Sequence, residues 1–552
     1  MLNNPLYIKS DRETLIPAHC NFGKYMLDCL RKYSDEISLV NSETNKSITY
    51  KEFTQYAVDL SYGLHKLGVR RGDVVALGSE IRYEFLPTML AVVMTGATFT
   101  SLAYDEGQVP LLQKLNQIKP NYFIHTDLFW QRYGKVIKPL DFIETWISLD
   151  DSADTGIPLS TLMETSVDAN LFEPIEVDGK TDVAVAQYTS GTTGTSKVVL
   201  SNHINCILMS EKPGLMKDTF KIMSCNAIWT SSYECFFTIT FLLFGRMIVY
   251  HPEPTYETNL NDLLKYQVNF AVYEPSFLTL LSKQEYVEAN KCLLVLFSAG
   301  SALRQEVINK LKDRYPKLQL LQGYGMTEGH PLTFEKPDFV ENRLGSVGKP
   351  CHYTTIKIID RLSRRVLGPN QQGEIWFRGP VLMKGYSHTD DKMQDTEGFF
   401  NTGDLGYYDD DHFLFIVNRA KDSIVYDGYE VGVVDLENLL LRHGGVREAC
   451  VVGAPDAVYG DLPAAFVVAA PGAAPAPDQL RAYVDNLVAP HMRLRGGVRF
   501  LDALPKNKRG KILRESLKNL LIDELMTDGI IEQRGLGCTD GVASKTRNSQ
   551  SG

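Results

Sequence analysis

The chain has 552 residues, of which 44% are hydrophobic and 22% charged, and its formal net charge is −10. This length is too great for one hydrophobic core and indicates several folded units, at roughly 100–200 residues per domain. The negative charge argues against a broad nucleic-acid interface, which needs a basic face, but it is compatible with a local cationic site for a nucleotide phosphate.

The N-terminal part alternates segments typical of helices with segments typical of strands. Residues 21–32 and 50–66 are predicted helices, and a short strand at 48–50 leads into the second. Strands alternating with helices indicate βαβ units and a largely parallel sheet. One further helix and the remaining strands of this pattern are predicted at 82–96 and at 74–77, 97–102, 121–125, 227–229, 247–250, 270–273 and 293–297.

The composition changes twice in the second half of the chain. From about residue 345, short segments alternate with Gly, Pro and charged turns, which is typical of a β-rich subdomain. Residues 425–525 then show a small α+β pattern. Its predicted helices are 433–441 and 477–487, and its predicted strands are 448–452 and 465–469.

We therefore predict an α/β protein with a large, multi-subdomain N-terminal domain over residues 1–420 that holds βαβ sheets and the β-rich subdomain. A small, mobile α+β C-terminal domain follows over residues 421–522. Residues 523–552 are polar and Gly/Ser-rich, and this composition predicts a disordered tail.

A polar loop lies between two apolar, β-rich runs. Residues 188–197 read YTSGTTGTSK, with DVAVA before them and VVL after them. Glycines let the backbone bring N–H groups close to an anion, while hydroxyls and Lys197 add donors and a positive charge. Because β-branched residues follow Lys197, the loop is predicted to join a hairpin, unlike a P-loop. The composition suits a phosphate-binding loop, although a solvated hairpin loop would explain the same residues taken alone.

A second stretch, LQGYGMTE at 321–328, follows a predicted strand. Two glycines around Tyr324 expose an aromatic face that suits stacking on a planar base. Thr327 adds a hydroxyl, and Glu328 is a hard oxygen ligand of the kind that Mg²⁺ prefers. Taken alone, the stretch is equally explained as a Gly-rich turn with an incidental acid.

Three later stretches carry further polar groups. NTGDLG at 401–406 puts Asp404 on a predicted tight turn, where a carboxylate can accept two ribose hydroxyls. NRAKD at 418–422 puts a basic pair at the predicted domain boundary, and LPKNKRGKILR at 504–514 holds several cations before a helix. In isolation, an Asx turn and a solvated basic loop would explain these residues.

In this order and spacing, the five stretches resemble one large family, the acyl-adenylate-forming enzymes. The family includes acyl-CoA synthetases, 4-coumarate–CoA ligases, insect luciferases and the adenylation domains of peptide synthetases. GEIWFRGP at 373–380, GY at 385–386 and FSAG at 297–300 add to the resemblance, which covers roughly residues 20–520. It implies that a carboxylate attacks the α-phosphate of ATP to give an acyl-adenylate and pyrophosphate, and that a thiol, usually of coenzyme A, then displaces AMP.

The resemblance implies roles for individual residues. It assigns the β,γ-phosphates to the loop residues Ser190, Gly191, Thr192, Thr193, Gly194 and Lys197. It assigns the adenine site to Tyr324, with Gly300 and Ser301 opposite, and it counts Gln322, Gly323 and Gly325 among the residues that bind the cofactor.

The remaining implied roles concern the reacting groups and the second domain. By resemblance, Thr327 contacts the α-phosphate, and Glu328 holds Mg²⁺. The ribose site is assigned to Asp404 and Arg419, the hinge to Lys421, the catalytic lysine of adenylation to Lys511, and the acyl pocket to Trp229, Ser231 and Tyr233.

The sequence departs from the family pattern at several positions. Val198 follows the loop lysine where glycine is usual, and Ser231 stands where a histidine is expected. Val425 and Asp427 occupy positions where lysine is frequent, on the face that serves the second half-reaction. For His203 and His330 we predict structural or solvated roles, because the sequence names no partner for either.

The predicted function is an ATP-dependent carboxylate–CoA ligase that uses ATP, Mg²⁺ and CoA and acts on a fatty or aromatic acid. Two alternatives remain open. One is an adenylating enzyme that does not use CoA, including a luciferase-like oxygenase. The other is a weakly active pseudoenzyme that binds a nucleotide or a hydrophobic acid. The chain is predicted to be a monomer or a weak homo-oligomer without a nucleic-acid partner.

Cysteine use and terminal segments bear on location. The nine cysteines form no CxxC pair and no Cys/His cluster at metal-binding spacing, which predicts reduced thiols inside the cell. The N-terminus has no secretory signal pattern, and the most apolar run, 235–250, is shorter than a membrane span. The chain ends in SQSG rather than in the Ser-Lys-Leu type of signal of peroxisomal relatives, so a cytoplasmic location is predicted, with a peroxisomal one as the alternative.

Overall fold

The computed structural model describes residues 5–9, 20–189, 196–211, 215, 217–225, 229–283, 292–300, 303, 305–336, 343, 345–387, 393–420, 424–426, 429–456, 458–506 and 512–527. The chain divides into two units, Met1–Ala420 and Lys421–Gly552. The predictions that concern residues 190–194, 227–228, 301, 421, 427, 511 and 528–552 lie outside the described residues.

The helices of the first unit, α1 to α11, are Phe22–Leu30, Tyr50–Leu67, Phe85–Met94, Gln108–Ile118, Asp127–Ile137, Leu159–Leu162, His203–Ser210, Ser232–Leu243, Tyr256–Lys265, Pro275–Leu281 and Gln305–Arg314. Those of the second unit, α12 to α14, are Val433–Arg442, Pro477–Asp485 and Arg514–Thr527. Short 3-10 helices occur at Arg31–Tyr33 and Pro490–Met492.

The strands of the first unit, β1 to β22, are Ile8–Lys9, Ile37–Asn41, Ser47–Thr49, Val74–Ser79, Thr98–Ala103, Tyr122–His125, Thr145–Ser148, Ile157–Pro158, Val183–Tyr188, Val198–Asn202, Ile222–Cys225, Met247–Tyr250, Phe270–Val272, Val295–Ser298, Gln319–Met326, Gly329–Phe334, Lys349–Pro350, Thr355–Ile359, Gly373–Arg378, Gly385–Tyr386, Phe400–Tyr408 and Leu414–Arg419. Those of the second unit, β23 to β27, are Ile424–Tyr426, Tyr429–Val431, Val446–Asp456, Gly460–Ala469 and Val498–Phe500.

Among the described residues, the strands of the first unit form three sheets. The first has the order β20-β10-β9-β5-β4-β6-β7-β8 and is parallel from β9 to β8. The second has the order β17-β16-β15-β14-β13-β11-β12-β2-β3 and is parallel from β15 to β2. The third, β1-β18-β19-β21-β22, is antiparallel throughout and corresponds to the predicted β-rich subdomain.

The two large sheets are covered on both faces, as parallel sheets require. On β4, Val75 and Leu77 belong to the main core, whereas Ala76 packs in a separate cluster with α4 and α5. On β14, Phe297 faces the main core and Leu296 faces α9 to α11. Helices α1, α2, α3, α7 and α8 contribute to the main core, so they pack between the two sheets.

Helix α2 illustrates how local sequence fixes an element. Thr49 and Glu52 form a capping box at its start, because each side chain accepts a hydrogen bond from the other residue's backbone N–H. The helix ends at Gly68, whose φ of +119° favours glycine. The predicted helix over 50–66 is therefore confirmed almost to the residue.

The second unit is an α+β domain, as predicted. Its sheet has the order β24-β23-β26-β25, and β27 pairs with β26. The long antiparallel pair of β25 and β26 carries α12 and α13 on one face and α14 on the other, since the residues of the two faces belong to separate core clusters. The predicted class, with a large α/β domain and a small α+β domain, is thus confirmed.

Of the strand predicted at 227–229, only Trp229 is described, and it lies in a turn. The predicted start of the C-terminal tail was wrong. The tail does not begin at residue 523, because α14 continues to Thr527. Leu517, Leu521 and Leu525 recur every fourth residue along α14 and are buried against the sheet, and that burial stabilises the helix.

Candidate functional site

The adenine residues predicted from sequence lie on the edge of the second sheet where parallel strands end. Ser298, the last residue of β14, pairs with Gln322 of β15, and Gly300 lies two residues beyond Ser298. Apart from its chain neighbours, no described residue has an atom within 4 Å of a Cβ placed on Gly300, whose φ is +90°. Carboxyl ends of parallel strands are the usual position of a ligand in such sheets. Ser301 lies outside the described residues.

The stretch LQGYGMTE, which a Gly-rich turn would also have explained, forms one side and the turn of a β-hairpin. Strand β15 runs through Tyr324 to Met326 and pairs with β16, so Thr327 and Glu328 form the two-residue turn. The glycines serve packing. A Cβ at Gly323 would lie 2.7 Å from Phe297 Cζ, and one at Gly325 would lie 2.7 Å from His330 Cβ.

Tyr324, Asp404 and Arg419 form a hydrogen-bonded group. The Tyr324 hydroxyl donates to Asp404 Oδ2 at 2.6 Å, and Arg419 Nε lies 3.2 Å from Asp404 Oδ1. Asp404 is buried, and its backbone N–H donates to Thr402 Oγ1. Burial, followed by the charge of Asp404, raises the pKa of Tyr324 well above its usual value. The structure thus brings three predicted residues together.

Asp404 was predicted on a tight turn, and that prediction was wrong. Asp404 lies on strand β21, directly opposite Arg419 of β22. Gly403 before it has a φ of +72°, a left-handed conformation that glycine adopts without a steric penalty. The strand therefore departs from extended geometry at Gly403, just before Asp404. A glycine at this position is also typical of a turn, so the sequence NTGD resembles one.

The predicted phosphate loop joins an antiparallel hairpin, as expected. Tyr188 at the end of β9 pairs with Val198 at the start of β10. Thr189 and Lys197 close the base of the loop: Thr189 N donates to Lys197 O, and Lys197 N donates to Thr189 Oγ1, both at 3.0 Å. Ser190, Gly191, Thr192, Thr193 and Gly194 lie outside the described residues.

Tyr386, for which the sequence predicted no role, contacts both Glu328 and Lys197, two residues for which phosphate or metal binding is predicted. Its hydroxyl donates to Glu328 Oε1 at 2.5 Å, and Lys197 Nζ lies 4.7 Å from its ring centroid. Burial, followed by the charge of Glu328, raises the pKa of the Tyr386 hydroxyl. The only sequence signal for Tyr386 was the short GY motif. The structure shows that this motif forms β20, which pairs with β10 directly after Lys197.

The donor set around Glu328 fits one kind of metal site. Glu328 is 7% exposed, and Thr327 beside it supplies a hydroxyl. Within the described part of the chain, no three His, Cys, Asp or Glu side chains are grouped so as to hold a metal ion. Mg²⁺ commonly binds through one or two carboxylates together with water and substrate phosphates. A single carboxylate therefore fits a Mg²⁺ ion that arrives with a nucleotide.

The residues predicted for the acyl pocket lie at and before the start of α8. Tyr233 packs edge-on against Phe237 at 5.1 Å between ring centroids, and Phe237 lies 4.8 Å from Phe297, the ring that covers Gly323. A continuous aromatic path therefore connects Tyr233 with strand β15, which carries Tyr324. Ser231 is the residue before the helix, and its carbonyl accepts from Cys235 N.

Trp229 occupies a different environment from Tyr233. Its ring is 2% exposed and packs on Phe85 and Tyr250, and its Nε1 donates to Thr238 Oγ1 at 3.1 Å. The indole is thus enclosed by core residues, and its polar atom is satisfied. A pocket-lining role for Trp229 remains a prediction.

The two histidines differ in their surroundings. His203 is buried, and its Nδ1 accepts from Phe22 N, while burial lowers its pKa to about 4. His330 Nε2 lies 2.5 Å from Ser232 Oγ in the first turn of α8. The sequence named no partner for His330. Its alternation with Leu332 and Phe334, both core residues of β16, was the signal that it faces inward.

The second unit carries the last predicted residues. Lys421, Asp427, Lys511 and the side chain of Val425 lie outside the described residues. The segment before Lys511 begins after Lys506, which forms a β-bridge with Ile512. Two residues further, Arg514 makes a bidentate ion pair with Glu437 of α12, and Nη2 lies 2.8 Å from Oε2. The β-bridge thus joins the two ends of this short segment to each other, and Arg514 connects its C-terminal side with α12.

Comparison with known proteins gives matches along most of the chain. The sequence model of the family described as AMP-binding enzyme matches residues 28–387, and that of the AMP-binding enzyme C-terminal domain matches residues 435–511. A luciferin 4-monooxygenase from Photuris pensylvanica is 30% identical over 523 residues, covering 90% of this chain and 95% of that protein. A 4-coumarate-CoA ligase 1 from Narcissus pseudonarcissus is 30% identical over 555 residues, covering 94% of this chain and 98% of that protein.

A solved structure shares the fold. The crystal structure of ATP-bound MatB from Rhodopseudomonas palustris superposes with a TM-score of 0.83 at 22% identity, covering 92% of this chain and 99% of that one. At this identity, the likeness concerns the fold alone. A search for membrane spans among the described helices finds none long and apolar enough to cross a bilayer.

Proposed function

The chain belongs to the acyl-adenylate-forming superfamily of AMP-binding enzymes, and on that premise we propose that it is an ATP-dependent carboxylate–CoA ligase. In the first step, a carboxylate oxygen of the acid attacks the α-phosphorus of ATP, and the bond to the bridging oxygen breaks, so pyrophosphate leaves. In the second step, the thiol sulfur of CoA attacks the carbonyl carbon, AMP leaves with the bonding electron pair, and the thiol proton is released.

The observation that carries the proposal is the group formed by Tyr324, Asp404 and Arg419. A buried carboxylate has about four acceptor positions, and here a phenol and a guanidinium orient it. Such a carboxylate suits the two hydroxyls of a ribose, and the strand that carries Tyr324 suits the base beside them. The ATP-bound relative with the same fold supports ATP as the nucleotide.

The phosphates of ATP then extend toward the turn formed by Thr327 and Glu328 and toward Lys197. When bound at Glu328 with the nucleotide, Mg²⁺ would neutralise charge on the phosphate oxygens. Thr327 would donate its hydroxyl to the α-phosphate, and Lys197 would bind the β,γ-phosphates together with the 190–194 loop. Preorganised donors of this kind are typically worth several kcal/mol in a transition state that gathers charge.

The acid would lie beside Tyr233 and Phe237, next to strand β15, which carries Tyr324. The ring centroids of Tyr233 and Phe237 are 5.1 Å apart, and those of Phe237 and Phe297 are 4.8 Å apart. Together these three rings form an apolar wall. This wall favours an acid with an apolar body, either a fatty chain or an aromatic ring. The carboxylate must then point toward Thr327, because that is where the α-phosphate is expected.

The second domain would supply Lys511 for adenylation and would turn about Lys421 between the two steps. A lysine on a mobile domain can reach the carboxylate and the α-phosphate in one conformation and leave in the other. CoA is supported as the acceptor by the 4-coumarate-CoA ligase relative. The luciferin 4-monooxygenase relative of equal identity supports a second candidate, an adenylating enzyme that oxidises its adenylate.

A pyrophosphate-release screen across fatty and aromatic acids, run with and without CoA, tests the proposal. A ligase should release pyrophosphate with at least one acid and should consume the CoA thiol in equal amount. Pyrophosphate release without loss of thiol would exclude CoA as the acceptor, and light emission with luciferin would then support the second candidate. If no acid releases pyrophosphate although ATP binds, the chain is a nucleotide-binding pseudoenzyme.

A further inference from the structure

Tyr386 lies on a two-residue strand whose position depends on the phosphate hairpin. In the antiparallel pair of β20 and β10, Tyr386 is opposite Val199 and Gly385 is opposite Leu200. Backbone N–H groups of Lys384 and Ser387 donate to β10 carbonyls on either side of this pair. The position of Tyr386 is therefore fixed relative to β10, the strand that begins directly after Lys197.

The same side chain is joined to the turn at Glu328. Its hydroxyl donates to Glu328 Oε1 at 2.5 Å, and Met383 N donates to the carbonyl of Glu328 at 2.8 Å. A phenol has one O–H proton, so Tyr386 engages one carboxylate oxygen and leaves the other oxygen suited to a metal ion. The side chain and the backbone of Glu328 are thus both hydrogen-bonded to the segment that contains Tyr386.

The face of the Tyr386 ring contacts the ammonium group of Lys197. The ammonium lies 4.7 Å from the ring centroid, a distance at which the ring attracts a cation without neutralising it. An ion pair with Glu328 would instead cancel the charge of each group. Holding the lysine over a ring keeps it available for phosphate oxygens and apart from the carboxylate.

We propose that Tyr386 is a positioning residue that fixes the phosphate-loop lysine Lys197 and the metal-binding carboxylate Glu328 relative to each other. The assignment rests on the proposed function, because it presumes that phosphates of ATP bind between these two groups. The hydroxyl acts through Glu328 and the ring acts through Lys197. The two contributions can therefore be removed separately.

The test compares Tyr386→Phe, which removes only the hydroxyl, with Tyr386→Leu, which removes the ring as well. Calorimetry would measure ATP binding without any acid, once with Mg²⁺ and once in EDTA. Tyr62→Phe and Tyr62→Leu are matched controls, since Lys66 lies over the Tyr62 ring at 4.5 Å on helix α2. Melting temperatures would verify that each variant folds.

Tyr386→Phe should weaken ATP binding with Mg²⁺ about tenfold, as expected for one hydrogen bond to a charged group, and leave binding in EDTA unchanged. Tyr386→Leu should weaken binding under both conditions. In a double-mutant cycle, adding Tyr386→Phe to Glu328→Gln should cause no further loss, because the hydroxyl acts through that carboxylate.

Equal losses with and without Mg²⁺ for Tyr386→Phe would overturn the role of the hydroxyl. Identical binding of the Phe and Leu variants in EDTA would overturn the role of the ring. Failure of the unaltered protein to bind ATP would refute the proposed function and this assignment with it. Normal binding by the unaltered protein and by both variants would refute only the role of Tyr386.

Discussion

The hydroxyl of Tyr324 donates a 2.6 Å hydrogen bond to Oδ2 of Asp404 and so connects strand β15 of the second large sheet with strand β21 of the antiparallel sheet. Asp404 is buried beside Arg419, and its second oxygen faces that guanidinium. The carboxylate is therefore oriented from both sides before any ligand binds. Preorganisation of this kind lowers the entropic cost of binding a nucleotide.

Tyr324→Phe should raise KM for ATP about tenfold, because the variant loses one hydrogen bond to a charged group and Asp404 loses its orientation. KM for the acid should stay within the error of the unaltered enzyme. Steady-state pyrophosphate release measures both constants. Tyr407→Phe, on the same strand as Asp404 and stacked on Phe415 at 4.8 Å, is the matched control. An equal rise in both KM values would mean that Tyr324 supports the whole site rather than the nucleotide.

Glu335, the residue directly after strand β16, predicts a pH effect on stability. It is 4% exposed, and burial raises its pKa from 4.5 to about 7, while the Gln322 amide and the charge of Lys312 oppose the shift. Between these pH values, the folded protein keeps a proton that the unfolded chain has lost. Stability should therefore fall as pH rises through this interval, by at most about 3 kcal/mol.

Glu335→Gln should remove this dependence, because glutamine stays neutral and its carbonyl can still accept from Gln322 N. Relative to the unaltered protein, the variant should gain stability at about pH 8 and little at about pH 5. Unfolding midpoints in urea at the two pH values give the comparison. Glu306→Gln is the control, since Glu306 is exposed and pairs with Lys310 on the helix surface. Parallel pH profiles for the Glu335→Gln variant and the unaltered protein would contradict the argument.

The hairpin and the helix over 50–66 could be predicted from sequence because their signals are local. The β-branched residues after Lys197 predicted a hairpin, and the Thr49–Glu52 spacing is that of a capping box. Contacts between distant segments could not be predicted. Tyr386 and Glu328 are 58 positions apart, and they meet because the segment around Tyr386 pairs with β10 and also hydrogen-bonds to the backbone of Glu328 through Met383.

Glycine gave the least reliable sequence signal in the site. The stretch around Tyr324 was interpreted as a turn, yet Gly323 and Gly325 lie inside a strand. They are required there because Phe297 and His330 occupy the space that a side chain would need. A glycine that permits a turn and a glycine that permits close packing look the same in a sequence, and only the fold distinguishes them.

Gly323→Ala tests this packing argument. The added Cβ would lie 2.7 Å from Phe297 Cζ, and Phe297 in turn packs on Phe237. The Phe297 ring must shift, which should cost about 1–3 kcal/mol of stability. The shift should also displace the aromatic wall of Tyr233, Phe237 and Phe297 that we propose for the acid. We expect a lower melting temperature and a larger rise in KM for the acid than for ATP. Gly444→Ala, where a Cβ would meet nothing within 4 Å, should not lower stability.

Lys511→Ala tests the division of labour between the two domains. If Lys511 stabilises the charge that develops on the α-phosphate, its loss should lower the rate of adenylate formation at least about a hundredfold, the size of one electrostatic contact in a transition state. The reaction of CoA with preformed acyl-adenylate should keep most of its rate, because no α-phosphate charge develops in that step. Single-turnover assays of pyrophosphate release and of thiol consumption measure the two steps separately. Lys518→Ala, on helix α14 of the same domain, should leave both rates unchanged. Equal loss of both steps in Lys511→Ala would refute a role confined to adenylation.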